Sequence, residues 1–199
     1  MKSNLRAMIG VAAIVAVFAG PAFADDLEGA YVGGGIGVGR IAAGTAGLAP
    51  FLGNVDQTHF AYDLSFGIHP TSTPLALELQ YLDLGKSDIS NAGPAVASGT
   101  VSQRGGGLFL IYYLPTPIVQ VYVKGGGSRI TTHTDVLTSC TSSGCLLASS
   151  NPTNNAFAFG AGVQWVVATR WAVRGEYERF NAGGGNPSLL TVGVAWTFL

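Results

Sequence analysis

Between residues 59 and 69 the chain alternates residue by residue. Phe60, Tyr62, Leu64, Phe66 and Ile68 fall on one row, and His59, Ala61, Asp63, Ser65 and Gly67 on the other. A period of two marks a strand whose two faces meet different surroundings. Residues 188–198 repeat it, with Leu190, Val192, Val194, Trp196 and Phe198 opposite Leu189, Thr191, Gly193, Ala195 and Thr197. Six further segments alternate in the same way: 30–41, 75–84, 101–114, 119–130, 155–167 and 171–180. Each is close to the roughly 9–11 residues with which a tilted strand crosses a hydrocarbon layer. The pattern is faint in 30–41, where Gly33, Gly35, Gly37 and Gly39 leave one row almost bare. It is ambiguous in 101–114, where residues 108–113 are apolar on both rows. The expected fold is all-β, an eight-stranded antiparallel up-and-down transmembrane barrel.

The connections alternate in length. Those at 70–74, 115–118 and 168–170 are short, whereas those at 42–58, 85–100, 131–154 and 181–187 are longer. Membrane barrels have this asymmetry, with tight turns on the periplasmic side and larger loops outside. Both chain ends are therefore expected on the periplasmic side. An even number of strands can close on itself, which removes exposed sheet edges.

A soluble up-and-down barrel of lipocalin type has the same strand count but the opposite polarity, apolar inside and polar outside. Charge placement separates the two. Charged residues make up only 11% of the chain, against about 25% for a soluble protein. Glu78, Lys124, Arg174 and Glu176 lie within strands on the row opposite the apolar one; Leu75, Leu77 and Leu79 oppose Glu78, for example. A Lys or Arg on the lipid face at mid-bilayer costs about 2–4 kcal/mol, whereas acids and bases confined in a lumen can pair. Asp63, Glu78, Arg104, Lys124, Arg174 and Glu176 are thus expected to form a charge network in the lumen. Eight strands leave an interior just filled by side chains, so the network is expected to plug the barrel, at the least holding strand register. Glycines on the inward rows would leave room for its long side chains. Tyr81, Tyr113, Trp165, Trp171, Tyr177 and Trp196 lie towards strand ends or on outward rows, as an interfacial aromatic girdle would. Arg40, Lys86 and Arg179 gather at the external strand ends, where lipopolysaccharide phosphates would lie.

The N-terminus points to export. Lys2 and Arg6 precede an apolar run from Ala7 to Gly20, followed by Pro21 and Ala22-Phe23-Ala24. This order is that of a secretory signal peptide, and the run is shorter than the roughly 20 residues of a spanning helix. Cleavage is expected after Ala24, so that 1–24 is the signal peptide and 25–199 a single outer-membrane barrel domain. In an oxidising compartment Cys140 and Cys145, separated by Thr-Ser-Ser-Gly, are expected to form a disulfide that cinches one external loop. Metal binding is a poor alternative, because His133 is the only strong ligand nearby.

No catalytic, cofactor or metal residues are expected. His59 and Asp63 share an inward row but are four residues apart, about 13 Å along a strand, too far for a base and its orienting partner. His69 adjoins a short turn, and His133 lies near Asp135 in a stretch rich in Ser and Thr. Gly37-Val38-Gly39-Arg40-Ile41-Ala42 lacks the following helix that a dinucleotide site requires. No basic patch of the kind that nucleic acid demands is present.

The C-terminal pattern Thr191, Gly193, Trp196, Phe198 resembles the β-signal that the barrel-assembly machinery reads on the last strand of outer-membrane proteins, with Leu199 following the usual terminal aromatic. Residues 31–37 (YVGGGIG), 78–85 (ELQYLDLG) and 122–127 (YVKGGG) resemble the OmpA/OmpX-like, opacity-type outer-membrane β-barrel family. The resemblance spans residues 25–199. It implies a Gram-negative outer-membrane location, escort by periplasmic chaperones and insertion by the assembly machinery, and roles from envelope integrity to adhesion. The periplasmic peptidoglycan-binding domain of OmpA-type proteins is not expected here. The expected partners are outer-membrane lipid, lipopolysaccharide and a host or cell-surface ligand for the external loops. Two functions compete: a structural or surface-interaction barrel, and a narrow small-solute pore or small-ligand-binding barrel.

Overall fold

A computed structural model of the chain describes residues 28–42, 56–93, 96–116, 119–138, 147–182 and 186–198. Within them the protein is all strand: β1 (Gly29–Ala42), β2 (Asp56–His69), β3 (Leu75–Gly93), β4 (Val96–Leu114), β5 (Gln120–Thr138), β6 (Leu147–Ser150), β7 (Thr153–Ala168), β8 (Trp171–Ala182) and β9 (Ser188–Phe198). Every pairing is antiparallel. The order β4-β3-β2-β1-β9-β8-β7-β5 closes through β4–β5, making an eight-stranded barrel, and β6 adds a short outer pairing to β5. Closure between the first and last strands is in continuous register, from Ala30↔Phe198 to Arg40↔Ser188. Both expected cysteines and the expected signal peptide lie outside the described residues.

The alternation sets which side of the wall each residue occupies. Phe60 is 65% exposed and Leu64 57%, while Ala61 is fully buried between them. The same outward row continues around the wall through Leu77, Leu79, Leu108, Leu110, Phe157, Val163, Leu190 and Val194. An apolar outer surface running round the barrel suits hydrocarbon rather than water.

The interior is layered. Towards the end where β3, β4 and β5 are longest, Ile41, Leu82, Leu84, Val101, Phe109, Ile130, Phe180 and Leu189 form an apolar cluster inside the wall. Towards the short-turn end lies a smaller cluster of Ala76, Ile111, Tyr113 and Tyr122.

The long connections are shorter than their sequence suggests. Much of 85–100 belongs to β3 and β4, and 131–154 includes the end of β5, all of β6 and the start of β7. Beyond the apolar band the outward row turns polar, with Lys86, Asp88, Arg104, His133 and Asp135 exposed, while Ser87, Gln103 and Thr134 take buried inward places, so pairing continues without the apolar-outside alternation that reveals it. A register shift between Asp83 and Lys86 marks this boundary. Gly85 sits there at φ +88°, and its backbone N–H donates to Asp83 Oδ1 at 2.9 Å. The bulge reverses parity, so that Ser87 rather than an even-numbered residue points inward and is buried.

Placing a cation on the lipid face tests this wall. Leu64→Arg is expected to cost about 2–4 kcal/mol. The measurement is the fraction of refolded protein that keeps the faster gel mobility of the unheated, closed barrel; a fraction equal to that of the parent would contradict a lipid-facing row.

Candidate functional site in the barrel lumen

The centre of the lumen is charged. Lys124 projects inward from β5 and is 4% exposed; Glu78 from β3 is 1% exposed. Lys124 Nζ lies 3.2 Å from Glu78 Oε1 and donates to Gln80 Oε1 at 3.2 Å. It also forms ion pairs with Glu176 and Glu178 of β8. Arg174, two residues before Glu176 on the same row, donates from Nη1 to Glu78 Oε2 at 2.7 Å and from Nη2 to Glu176 Oε2 at 3.0 Å. The network therefore crosses the barrel, joining strands far apart in the wall rather than neighbours alone.

Two tyrosines complete it. Tyr31 donates its hydroxyl proton to Glu78 Oε2 at 2.7 Å, and Tyr122 donates to Glu176 Oε2 at 2.5 Å. The Tyr122 oxygen also accepts from Arg174 Nε and Nη2 at 3.2 and 3.1 Å. Each ring lies over a glycine on the neighbouring strand, Tyr31 opposite Gly67 and Tyr122 opposite Gly162. A Cβ at Gly67 would lie within 2.5 Å of the Tyr31 ring, and one at Gly162 2.4 Å from the Tyr122 hydroxyl. The inward glycines thus make room for aromatic rings as well as for long charged chains.

Asp63, Glu78, Lys124, Arg174 and Glu176 all lie on inward rows and are buried. Arg104 does not join them. Its side chain is exposed, and Gln103 takes the inward place, donating to Thr132 Oγ1 at 3.1 Å. The expectation failed because residues 108–113 of β4 are apolar on both rows and the residues before them show no clear alternation, so the parity of the strand could not be read; Phe109 and Ile111 turn inward while Leu108 and Leu110 turn outward. Tyr113 is likewise inward, stacked on His69 at 4.7 Å between ring centroids, and is not part of an outer girdle. Tyr81, Trp171 and Tyr177 are exposed on outward rows, and Trp196 packs edge-on against Phe198. Glu178 was missed, although its spacing of two from Glu176 and four from Arg174 places it on the same row.

Of the C-terminal pattern, Thr191 and Gly193 line the interior, whereas Phe198 is exposed outside. Arg40, Lys86 and Arg179 are exposed at the extended end of the barrel, and Arg104 and Arg129 join them there. Arg40 and Arg179 flank Ser188 from either side. His133 and Asp135 sit 3.6 Å apart on β5, both about half exposed to solvent. His59 and Asp63 remain separate positions along β2.

Comparison with known proteins places this geometry. The model of the outer membrane protein beta-barrel domain matches residues 10–198. Among curated proteins no sequence relative matches. Solved structures of similar fold include Ail, the attachment invasion locus protein of Yersinia pestis, in complex with the heparin analogue sucrose octasulfate. It shares 12% identity at a TM-score of 0.57, covering 86% of this chain and 99% of that one. Neisserial surface protein A is 16% identical at a TM-score of 0.57, with 86% and 98% covered. The N-terminal β-barrel domain of Pseudomonas aeruginosa OprF is 16% identical at 0.50, with the same coverage. At these identities the likeness is one of fold, and the match over nearly the whole sequence supplies the rest: the chain belongs to the outer membrane protein beta-barrel domain family.

Proposed function

We propose that this protein is a non-catalytic surface-interaction barrel whose lumen is sealed. The observation that carries the reading is the layered interior. A buried ion network spans the centre, and an apolar layer that includes Phe109 and Phe180 lies beyond it on the extended side. Eight strands leave no room for an aqueous channel once such side chains are in place. The strands that outrun the apolar band supply the working surface instead. On this reading residues 1–24 are removed on export, the pattern of Thr191, Gly193, Trp196 and Phe198 serves insertion by the assembly machinery after chaperone escort, and Cys140 and Cys145 pair in an external loop.

The partner surface is cationic on balance, with Asp83 opposite Arg104 and with Asp88 and Asp135 exposed at the same end. Arg40, Lys86, Arg104, Arg129 and Arg179 stand on outward rows at the extended end, just past the last apolar residues such as Val38, Leu108 and Tyr177. At that level in an outer membrane lie the phosphates of lipopolysaccharide, which guanidinium groups pair with well. The complex of Ail with a polysulfated sugar gives a polyanion as ligand for another barrel of this shape, and a sulfated or phosphorylated cell-surface glycan is the ligand class proposed for the outer face here.

Three outcomes are expected. The protein refolded in a planar bilayer is silent; reproducible conductance steps would favour the narrow-pore reading over the sealed one. Lys124→Met leaves three carboxylates facing one another without their shared cation and is expected to cost about 3–5 kcal/mol, read by denaturant unfolding in detergent. Glutamine at all five rim positions, Arg40, Lys86, Arg104, Arg129 and Arg179, is expected to weaken lipopolysaccharide binding at least tenfold while leaving the folded gel mobility intact. Unchanged binding would remove the rim as the contact surface.

A further inference from the structure

Three glutamates divide two cations among them in the lumen. Glu78 of β3 and Glu176 of β8 each pair with both Lys124 and Arg174. Each also accepts a tyrosine hydroxyl, from Tyr31 and from Tyr122 respectively. Glu178 pairs with Lys124 alone, whose ammonium group is already shared with the other two carboxyls. Although the residue is only 1% exposed, neither of its oxygens has a hydrogen-bond donor aligned with it.

The surroundings of Glu178 do not supply that donor. Opposite it stand Gly160 on β7 and Leu189 on β9, neither of which carries charge. Leu189 and Phe180, the next inward residue of β8, belong to the apolar layer. On β4 the Phe109 ring lies under Lys124 Nζ at 4.5 Å, and Tyr113 is stacked on His69. Tyr31 of β1, Tyr122 of β5 and Arg174 of β8 are committed to Glu78 and Glu176. On β2, Asp63 adds a fourth buried acid, and His59 stands three strands away along the same row, beyond Gly39 and Leu189. What does meet Glu178 is another carboxyl. Glu176 and Glu178 close on one ammonium nitrogen and lie within hydrogen-bonding reach of each other. As carboxylates both are acceptors only, with no donor between them.

We propose that Glu178 carries a proton in the folded barrel at neutral pH and donates it to Glu176, making the pair a proton-binding site at the border between the ion network and the apolar layer. The assignment within the pair follows from the other partners. Glu176 accepts from Arg174 Nη2 and from Tyr122, which favours its anion, whereas Glu178 has no such donor. Neutralisation is the usual fate of a buried acid that lacks enough partners. The proton turns two facing acceptors into a hydrogen bond, and it needs no room beyond that of the carboxyls themselves. The site belongs to the lumen and is independent of any role of the outer face.

Infrared spectroscopy of the refolded parent at neutral pH tests this directly. The carbonyl band of an un-ionised carboxylic acid is expected, shifted by isotope labelling of the glutamate carboxyl carbon and missing from Glu178→Gln. Absence of the band in the parent would overturn the proposal. So would a band that the label leaves in place, as a proton on Asp63 would give. Denaturant unfolding in detergent supplies a second reading. Above the ordinary glutamate range, about pH 4.3, the native barrel would hold one proton more than the unfolded chain, so its stability falls as pH rises until that proton leaves. Between about pH 5.5 and 7 the unfolding constant of the parent is expected to rise about tenfold per pH unit more steeply than that of Glu178→Gln. Glutamine keeps the shape and offers Glu176 an N–H in place of the proton, so the variant is expected to fold. Parallel pH profiles of parent and variant would also overturn the proposal.

Discussion

Every backbone donor and acceptor that enters hydrocarbon has to find its partner within the protein, and this requirement shapes the rest of the molecule. The pairing of β4 with β5 and of β1 with β9 leaves the barrel wall without a free edge. Once the wall closes, each strand has an inside and an outside, and the side-chain period of two becomes a partition between two solvents. Phe60 and Leu64 meet lipid because Asp63 and Ser65 cannot, and one slip of register would exchange them.

Closure also creates the lumen and the problem it poses. A narrow interior lined by Glu78, Lys124, Arg174, Glu176 and Glu178 is too dry to screen charge, so each group needs a partner of opposite sign. The bridges reach across the barrel, from β3 to β8 and from β5 to β3 and β8. Such contacts link strands that do not pair with one another, and they fill the section through which a solute would pass. Space for them comes from glycines on the wall, with Gly67 and Gly162 receiving the rings of Tyr31 and Tyr122 that bind the same carboxylates.

Parity, the property that assigns a residue to lipid or lumen, was legible where one row is apolar and the other is not. β2 and β9 meet that condition, and both read correctly. β4 does not, and Arg104 and Tyr113 were assigned to the wrong side for that one reason. The strand ends were misread for a different cause. Past Tyr81 and the bulge at Gly85, the outward row is polar and the inward row mixes polar Ser87 and Gln103 with Val101, so hydrogen bonding between β3 and β4 persists without a regular hydrophobic signature. Glu178 was within reach of the same periodic rule that found Arg174 and Glu176.

The sequence by itself determined the class of fold, the number of membrane-crossing strands and most of the inward charges, because alternation is a local property written residue by residue. Tertiary structure alone decided which charges meet. Glu78 and Arg174 are 96 residues apart and lie on strands that share no hydrogen bonds, so their 2.7 Å contact follows from the curvature of the closed wall. The apolar layer beyond the network has the same origin. It is a property of a cross-section, set by side chains from many strands at one height, and no stretch of sequence carries that information alone.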